Sequence, residues 1–122
     1  MAGSPPGGRT LSPRDRRFLE DLQANLEKEI SNPELKVDEI AEKMNTSYSS
    51  LYAHVKSLTG QSPQAYLSIY RMNRAKELLE SGKYIVAEVA DMVGSSSQSN
   101  FSRSYKRQFG LTPTEQIKKS VK

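Results

Sequence analysis

Two short segments of this sequence space polar and basic side chains as one face of a helix would. They are Ser49, Tyr52, Ala53 and Lys56 in the first segment, and Ser99, Ser102, Arg103 and Lys106 in the second. Each set follows the i, i+3, i+4, i+7 pattern, which places side chains together on an α-helix. Hydroxyl, guanidinium and ammonium groups presented in this way can hydrogen-bond to base edges and phosphate oxygens.

The residue types predict particular base contacts. Arg103 can donate two hydrogen bonds to guanine O6 and N7, and Gln98 or Asn100 can pair with adenine N6 and N7. Tyr52 and Ala53 can offer apolar contact to a thymine methyl group. These five residues are therefore the predicted readers of base sequence.

The remaining polar positions suit the phosphate backbone. Lys56, Lys106 and Arg107 are expected to bind phosphates, and Ser49 and Ser99 complete the predicted DNA-binding set. For each residue alone, an ordinary solvated side chain is the alternative interpretation.

The composition of the chain argues against catalysis and against a metal centre. It has 122 residues with no cysteine, no tryptophan and one histidine, His54. A lone histidine without partners builds neither a zinc site nor a catalytic triad, and no glycine-rich phosphate loop is present. We expect a non-enzyme without cofactor, in which His54 packs or faces a phosphate. No stretch is apolar over the roughly 20 residues that a membrane span needs, so no membrane partner is expected.

Charge is distributed unevenly along the sequence. Residues 1–44 carry seven basic and nine acidic side chains, whereas residues 45–122 carry 11 basic and five acidic ones. A surplus of positive charge in one part of a small protein is typical of contact with a polyanion such as DNA. A lysine-rich surface that only contacts solvent fits the same numbers.

Apolar periodicity and helix-capping residues predict an all-α fold with about seven helices. Ser12-Pro13, Ser47, Ser62-Pro63, Ser97 and Thr112-Pro113 are predicted helix starts, and Asn32-Pro33, Gly60, Ser81-Gly82 and Gly110 are predicted stops. We expect residues 1–11 to be a disordered linker or vector-derived, 12–62 to form a first helix-turn-helix unit, 63–82 a connecting helix and 83–122 a second unit.

The two units are related by an internal repeat. Eleven positions match when the first unit is shifted by 49 residues before the turn and by 50 after it, including Ala41 with Ala90 and Ser47 with Ser97. Asn45 and Gly94 stand at the turns, where a positive φ is required. Helix, tight turn and capped helix constitute the helix-turn-helix motif, whose second helix lies in the DNA major groove.

Several motifs resemble the DNA-binding domain of AraC/XylS-type bacterial transcription regulators. They are Leu58–Pro63, Arg71–Leu79, Glu88–Ala90 with Val93-Gly94, and Phe101-Ser-Arg103 running to Phe109–Pro113. The resemblance covers about residues 15–119. Phe18-Leu19 and Asn32-Pro33-Glu34 are most similar to members fused to two-component signalling proteins.

The resemblance implies seven helices and two recognition helices in consecutive major grooves of double-stranded DNA. It also implies a sensory domain elsewhere in the intact protein, RNA polymerase as a partner and a cytoplasmic location in a bacterium. One departure concerns the first recognition helix, where Ala53 stands at a position at which the family commonly has arginine. The competing interpretation is a helical protein-interaction module that binds an acidic partner.

Overall fold

The computed structural model describes residues 11–120, and the predicted linker at residues 1–11 falls almost entirely outside them. The described residues form seven helices and no strand, so the predicted all-α class is confirmed. The helices are α1 (Pro13–Glu29), α2 (Val37–Lys43), α3 (Tyr48–Thr59), α4 (Pro63–Glu80), α5 (Val86–Met92), α6 (Gln98–Phe109) and α7 (Pro113–Ser120).

The chain divides into two compact units. One comprises the chain up to Glu29 together with Leu35–Leu67, and the other comprises Ile30–Glu34 together with the residues from Ser68 onward. The first unit therefore holds α1, α2 and α3, and the second holds α5, α6 and α7. The sequence-based boundaries at 12–62, 63–82 and 83–122 stay a prediction.

Serine hydroxyls begin four of the helices, as the sequence predicted. In each case the hydroxyl oxygen accepts a hydrogen bond from the backbone N–H three residues later, which satisfies a donor that has no partner inside the helix. The pairs are Ser12 with Asp15, Ser47 with Ser50, Ser62 with Ala65 and Ser97 with Asn100, at 3.1 to 3.2 Å.

Two glutamates add caps that the sequence analysis did not include. Glu39 Oε1 accepts from the Lys36 N–H at 2.9 Å, and Glu88 Oε1 accepts from the Ile85 N–H at 3.0 Å. Both glutamates stand at the third position of a seven-residue helix, α2 or α5. The repeat in sequence is thus also a repeat in helix capping.

The two inter-helix turns have the predicted backbone conformation. Asn45 has φ of 57° and Gly94 has φ of 74°. Gly60 and Gly110, which follow α3 and α6, also adopt the left-handed conformation and end those helices.

Helices α3 and α6 each have an apolar face that packs inside their unit. In the first unit Leu22, Leu26, Ile40, Leu51 and Val55 are buried. In the second unit the buried core comprises Ile30, Met72, Ala75, Leu79, Val89, Ala90, Val93, Phe101 and Tyr105. Burial of one face leaves the opposite face of α3 and of α6 in solvent.

Helix α1 ends earlier than the Asn32-Pro33 stop suggested. Its last residue is Glu29, and Ile30 belongs to the core of the second unit. Asn32 Oδ1 accepts from the Glu34 N–H at 2.9 Å, and the Asn32 carbonyl accepts from Arg71 Nη2 at 2.7 Å. These bonds hold the segment after α1 outside the helix.

Helix α7 is fixed to α6 by a buried polar contact. Tyr105 Oη donates to Gln116 Oε1 at 2.8 Å, and both side chains are buried. Burial raises the pKa of Tyr105, with Glu80 contributing, so the phenol stays protonated and remains a donor. Tyr105 also packs on Phe109 with ring centroids 4.7 Å apart. Helix α7 begins after Thr112 as predicted, and Glu115 caps it, with the Thr112 N–H donating to Glu115 Oε1 at 2.8 Å.

Candidate nucleic-acid interface

Helix α3 exposes the four side chains that the sequence predicted for the first unit. Leu51 and Val55 are fully buried, which fixes the rotation of the helix about its axis. The predicted side chains Ser49, Tyr52, Ala53 and Lys56 are all exposed on the other side. Helix α3 therefore offers a short polar and aromatic face, with Tyr52 38% exposed.

Tyr48 joins this face and was missed in the sequence analysis. Its ring lies 6.1 Å from that of Tyr52, centroid to centroid, and its hydroxyl accepts from Gln64 Nε2 at 2.7 Å. The signal was available, because Tyr48 falls outside the apolar stripe of Leu51 and Val55. A large aromatic side chain outside the core of a short helix has to lie at the surface.

Helix α6 has the same organisation with a different chemistry. Phe101 and Tyr105 are buried, with ring centroids 6.0 Å apart. The side chains predicted on the other side are exposed, except that Ser102 is half-buried. The exposed ones are Gln98, Ser99, Asn100, Arg103, Lys106 and Arg107. Gln98, Ser99, Ser102 and Arg103 line one shallow depression in the surface. The structure thus brings together most of the predicted readers of the second unit.

Arg103 and Asn100 interact directly. Arg103 Nη2 donates to Asn100 Oδ1, one turn earlier in α6. The guanidinium of Arg103 has five N–H donors, so this bond leaves others available for a ligand. The contact holds the arginine over the exposed face of α6.

His54 packs against α1 and does not belong to the exposed face of α3. Its ring stacks on Phe18 with centroids 3.7 Å apart and an interplanar angle of 22°. His54 Nε2 also lies 3.2 Å from Asp15 Oδ1. That hydrogen bond lowers the pKa of the Asp15 carboxyl, with smaller contributions from Ser12 and Arg14. The predicted packing role of His54 is the one observed.

The lowered pKa of Asp15 predicts a pH-dependent stability difference. A carboxyl whose pKa is depressed in the folded state adds stability above its unfolded value, near 3.8, and loses it as pH falls through the folded value. Asp15→Asn should therefore be less stable than the wild type at pH 6, and the two should converge as the pH falls below about 3.8. Urea unfolding at a series of pH values measures this, with Glu20→Gln on the same helix as the control. A difference independent of pH would show that the Asp15 charge contributes nothing.

The two arginines of α4 have structural contacts. Arg71 Nη2 donates to the Asn32 carbonyl, and burial lowers the pKa of Arg71. Arg74 Nη1 lies 2.7 Å from Glu77 Oε1. Both side chains therefore make contacts within the protein.

Among residues 11–120, no group of three or more histidine, aspartate or glutamate side chains is placed to hold a metal ion. None of the seven helices is long and apolar enough to cross a membrane.

The profile of a helix-turn-helix domain family matches residues 40–119, which is more than half of the chain. The chain belongs to the AraC-type helix-turn-helix family. Members of this family are DNA-binding transcription regulators, and this chain is a DNA-binding domain of that type. The resemblance inferred from the sequence motifs is confirmed.

Three similar proteins illustrate the relationship. The Msm operon regulatory protein of Streptococcus mutans is 38% identical over 66% of this chain and 29% of its own length. The C-terminal domain of AraT, a response regulator from Geobacillus stearothermophilus, is 31% identical with a TM-score of 0.75, covering 91% of this chain and 88% of that one. The DNA-binding domain of AdpA, solved in complex with a target DNA, is 27% identical with a TM-score of 0.74, covering 83% and 90%. The chain spans only a minor part of the length of the curated relatives that it matches.

Proposed function

We propose that this domain reads the sequence of double-stranded DNA with α3 and α6, each placed in a major groove. The observation that carries the proposal is the exposed face of α6, where Gln98, Ser99 and Arg103 share one depression above a buried aromatic core. A rigid helix that projects short polar groups and one arginine is suited to the pattern of donors and acceptors in that groove.

Each unit is proposed to make a different kind of base contact. Arg103 of α6 would bond guanine O6 and N7, with Gln98 or Asn100 at an adjacent adenine. Tyr52 and Ala53 of α3 carry no charge and would contact thymine methyl groups. Because Asn100 already accepts from Arg103, its amide is the better candidate for holding the arginine, and Gln98 for reading adenine.

The cationic residues at the ends of these faces are proposed phosphate ligands. Lys56, Lys106 and Arg107 are exposed and lie farther along α3 and α6 than the proposed base readers. Ser49 and Ser99 lie in the first turns, where hydroxyl and backbone N–H groups can bind a phosphate oxygen. Phosphate contacts would fix the orientation of both helices without selecting a sequence.

The intact protein is proposed to be a cytoplasmic bacterial regulator that binds without catalysis. We also propose that another part of that protein contains a sensory domain and that the protein contacts RNA polymerase. The similarity to the C-terminal domain of a response regulator favours a phosphorylation signal as the input. The placement of α3 and α6 in consecutive grooves stays a prediction.

Duplex binding should depend steeply on salt. The surplus of six positive charges in residues 45–122 predicts contacts with several phosphates, each releasing counterions. We expect log K for a random duplex to fall with log salt at a slope of about −4 to −7. Fluorescence anisotropy between about 50 and 200 mM salt measures the slope. A chain that binds an acidic protein partner but gives a slope near zero with DNA would contradict the proposed function.

A further inference from the structure

A cleft in the first unit is lined by none of the residues proposed to contact DNA. It is formed by α1, by the turn between α2 and α3, and by the His54 side of α3, and its volume is about 460 Å³. That volume falls within the range of small-molecule sites in proteins, about 300 to 1,000 Å³. None of Ser49, Tyr52, Ala53 and Lys56 lines it.

Positive charge predominates in the walls of this cleft. Arg14 and Arg17 of α1 and Lys43 of α2 line it, whereas Asp21 is the one carboxylate in its lining. Within residues 11–120, none of these three cations forms an ion pair. Arg14 and Arg17 stand three residues apart on α1, so their guanidinium groups lie on the same side of that helix. Arg14 also acts on the neighbouring Asp15 carboxylate, but Arg17 and Lys43 have no ion pair among these residues and are available to an anionic ligand.

The cleft also has an apolar part. Phe18 and Met44 line it and are each half-buried. The Phe18 ring is held flat by its stack on His54, and His54 is in turn held by Asp15. A fixed aromatic plane beside three cations is a surface of mixed character, which an inorganic ion would cover only in part.

We propose that this cleft binds a small organic anion with a flat apolar body, such as an aromatic carboxylate. The carboxylate lies among Arg14, Arg17 and Lys43, where guanidinium groups can bind it with two hydrogen bonds. The ring lies against Phe18 and Met44. An isolated phosphate pairs with the cations but leaves the apolar part of the cleft in water. A neutral aromatic ring covers the apolar part but leaves the cations without an anionic partner. The proposal does not depend on DNA binding, because the proposed DNA-contacting residues lie outside the cleft.

The test is a titration of the whole chain followed by ¹H–¹⁵N NMR, with 2-naphthoate as probe. Two matched probes accompany it: 2-naphthamide, which has the ring without the charge, and inorganic phosphate, which has the charge without the ring. We expect 2-naphthoate to shift the amide signals of residues 14–18 and 43–46 saturably, and to bind at least tenfold more tightly than either matched probe. Equal binding of phosphate would overturn the proposal in favour of a plain anion site, including one for the DNA backbone. Equal binding of 2-naphthamide would overturn it because the cations would then be irrelevant.

Variants locate the binding within the cleft. Arg17→Gln and Lys43→Gln should each weaken 2-naphthoate at least fivefold. Arg16→Gln is the matched control, because Arg16 neighbours Arg17 on α1, is exposed and does not line the cleft. Phe18→Leu should weaken 2-naphthoate and leave phosphate unchanged. An Arg16→Gln loss equal to that of Arg17→Gln would overturn the proposal, because it would indicate non-specific charge attraction. The affinity for a random duplex, measured on the same samples, separates a failure of this proposal from a failure of the DNA-binding one.

Discussion

Replacing Gly94 by alanine will destabilise the chain by about 3 to 5 kcal/mol, because backbone strain and a steric clash combine at this position. Gly94 has φ of 74°, where a side chain costs about 1 to 2 kcal/mol. An added Cβ would also overlap the backbone oxygen of Ile30 and come within 2.9 Å of Arg71 Nη2. The Asn32 carbonyl, two residues after Ile30, accepts a hydrogen bond from Arg71, which restrains this segment. Urea unfolding followed by circular dichroism measures the loss.

Gly82→Ala is the matched control for this substitution. Gly82 has a similar φ of 71°, but nothing lies within 4 Å of the added Cβ. The Gly82→Ala variant should therefore lose only the stability that backbone strain costs, about 1 to 2 kcal/mol. Equal losses of stability in the two variants would show that the clash of the added Cβ at Gly94 with Ile30 and Arg71 costs nothing.

Replacing Arg103 by alanine will cost about 1 to 3 kcal/mol of binding on a selected DNA site and relax the preference at one or two base pairs. The reason is geometric, since two parallel donors match guanine O6 and N7 and no other base edge. Selection from a random duplex library supplies the site, and anisotropy titrations with single base-pair changes measure the preference.

Lys106→Ala on the same helix separates sequence recognition from charge. It should weaken all duplexes alike and reduce the salt slope by about one, because it removes a phosphate contact. If Arg103→Ala proves equally insensitive to sequence, the wrong face of α6 has been assigned to the groove.

The helical elements could be predicted because their signals are local. Serine at the start and glycine at the end act through backbone groups within four residues, and Ser47, Gly60, Ser97 and Gly110 behave as expected. The exposed faces of α3 and α6 followed from the same local pattern once the apolar stripe was known. Repetition of the pattern also indicated the turns, which need a positive φ at Asn45 and Gly94.

Contacts between distant parts of the chain could not be predicted in this way. The Phe18–His54 stack and the Arg71–Asn32 bond join residues more than 30 positions apart, and nothing in either local sequence specifies the partner. The cleft between α1 and the α2–α3 turn depends on such contacts. The net acidic count of residues 1–44 even pointed away from an anion site there, because a sum of charges does not show which of them face one another.

Dimethyl sulfate protection on the selected duplex is the most direct test of major-groove reading by α3 and α6. The reagent methylates guanine N7 in the major groove and adenine N3 in the minor groove. We expect protection of guanine N7 when the chain binds, and recovery of reactivity at one guanine when Arg103 is replaced by alanine. Protection confined to adenine N3, with every guanine N7 left reactive, would contradict major-groove recognition by these helices.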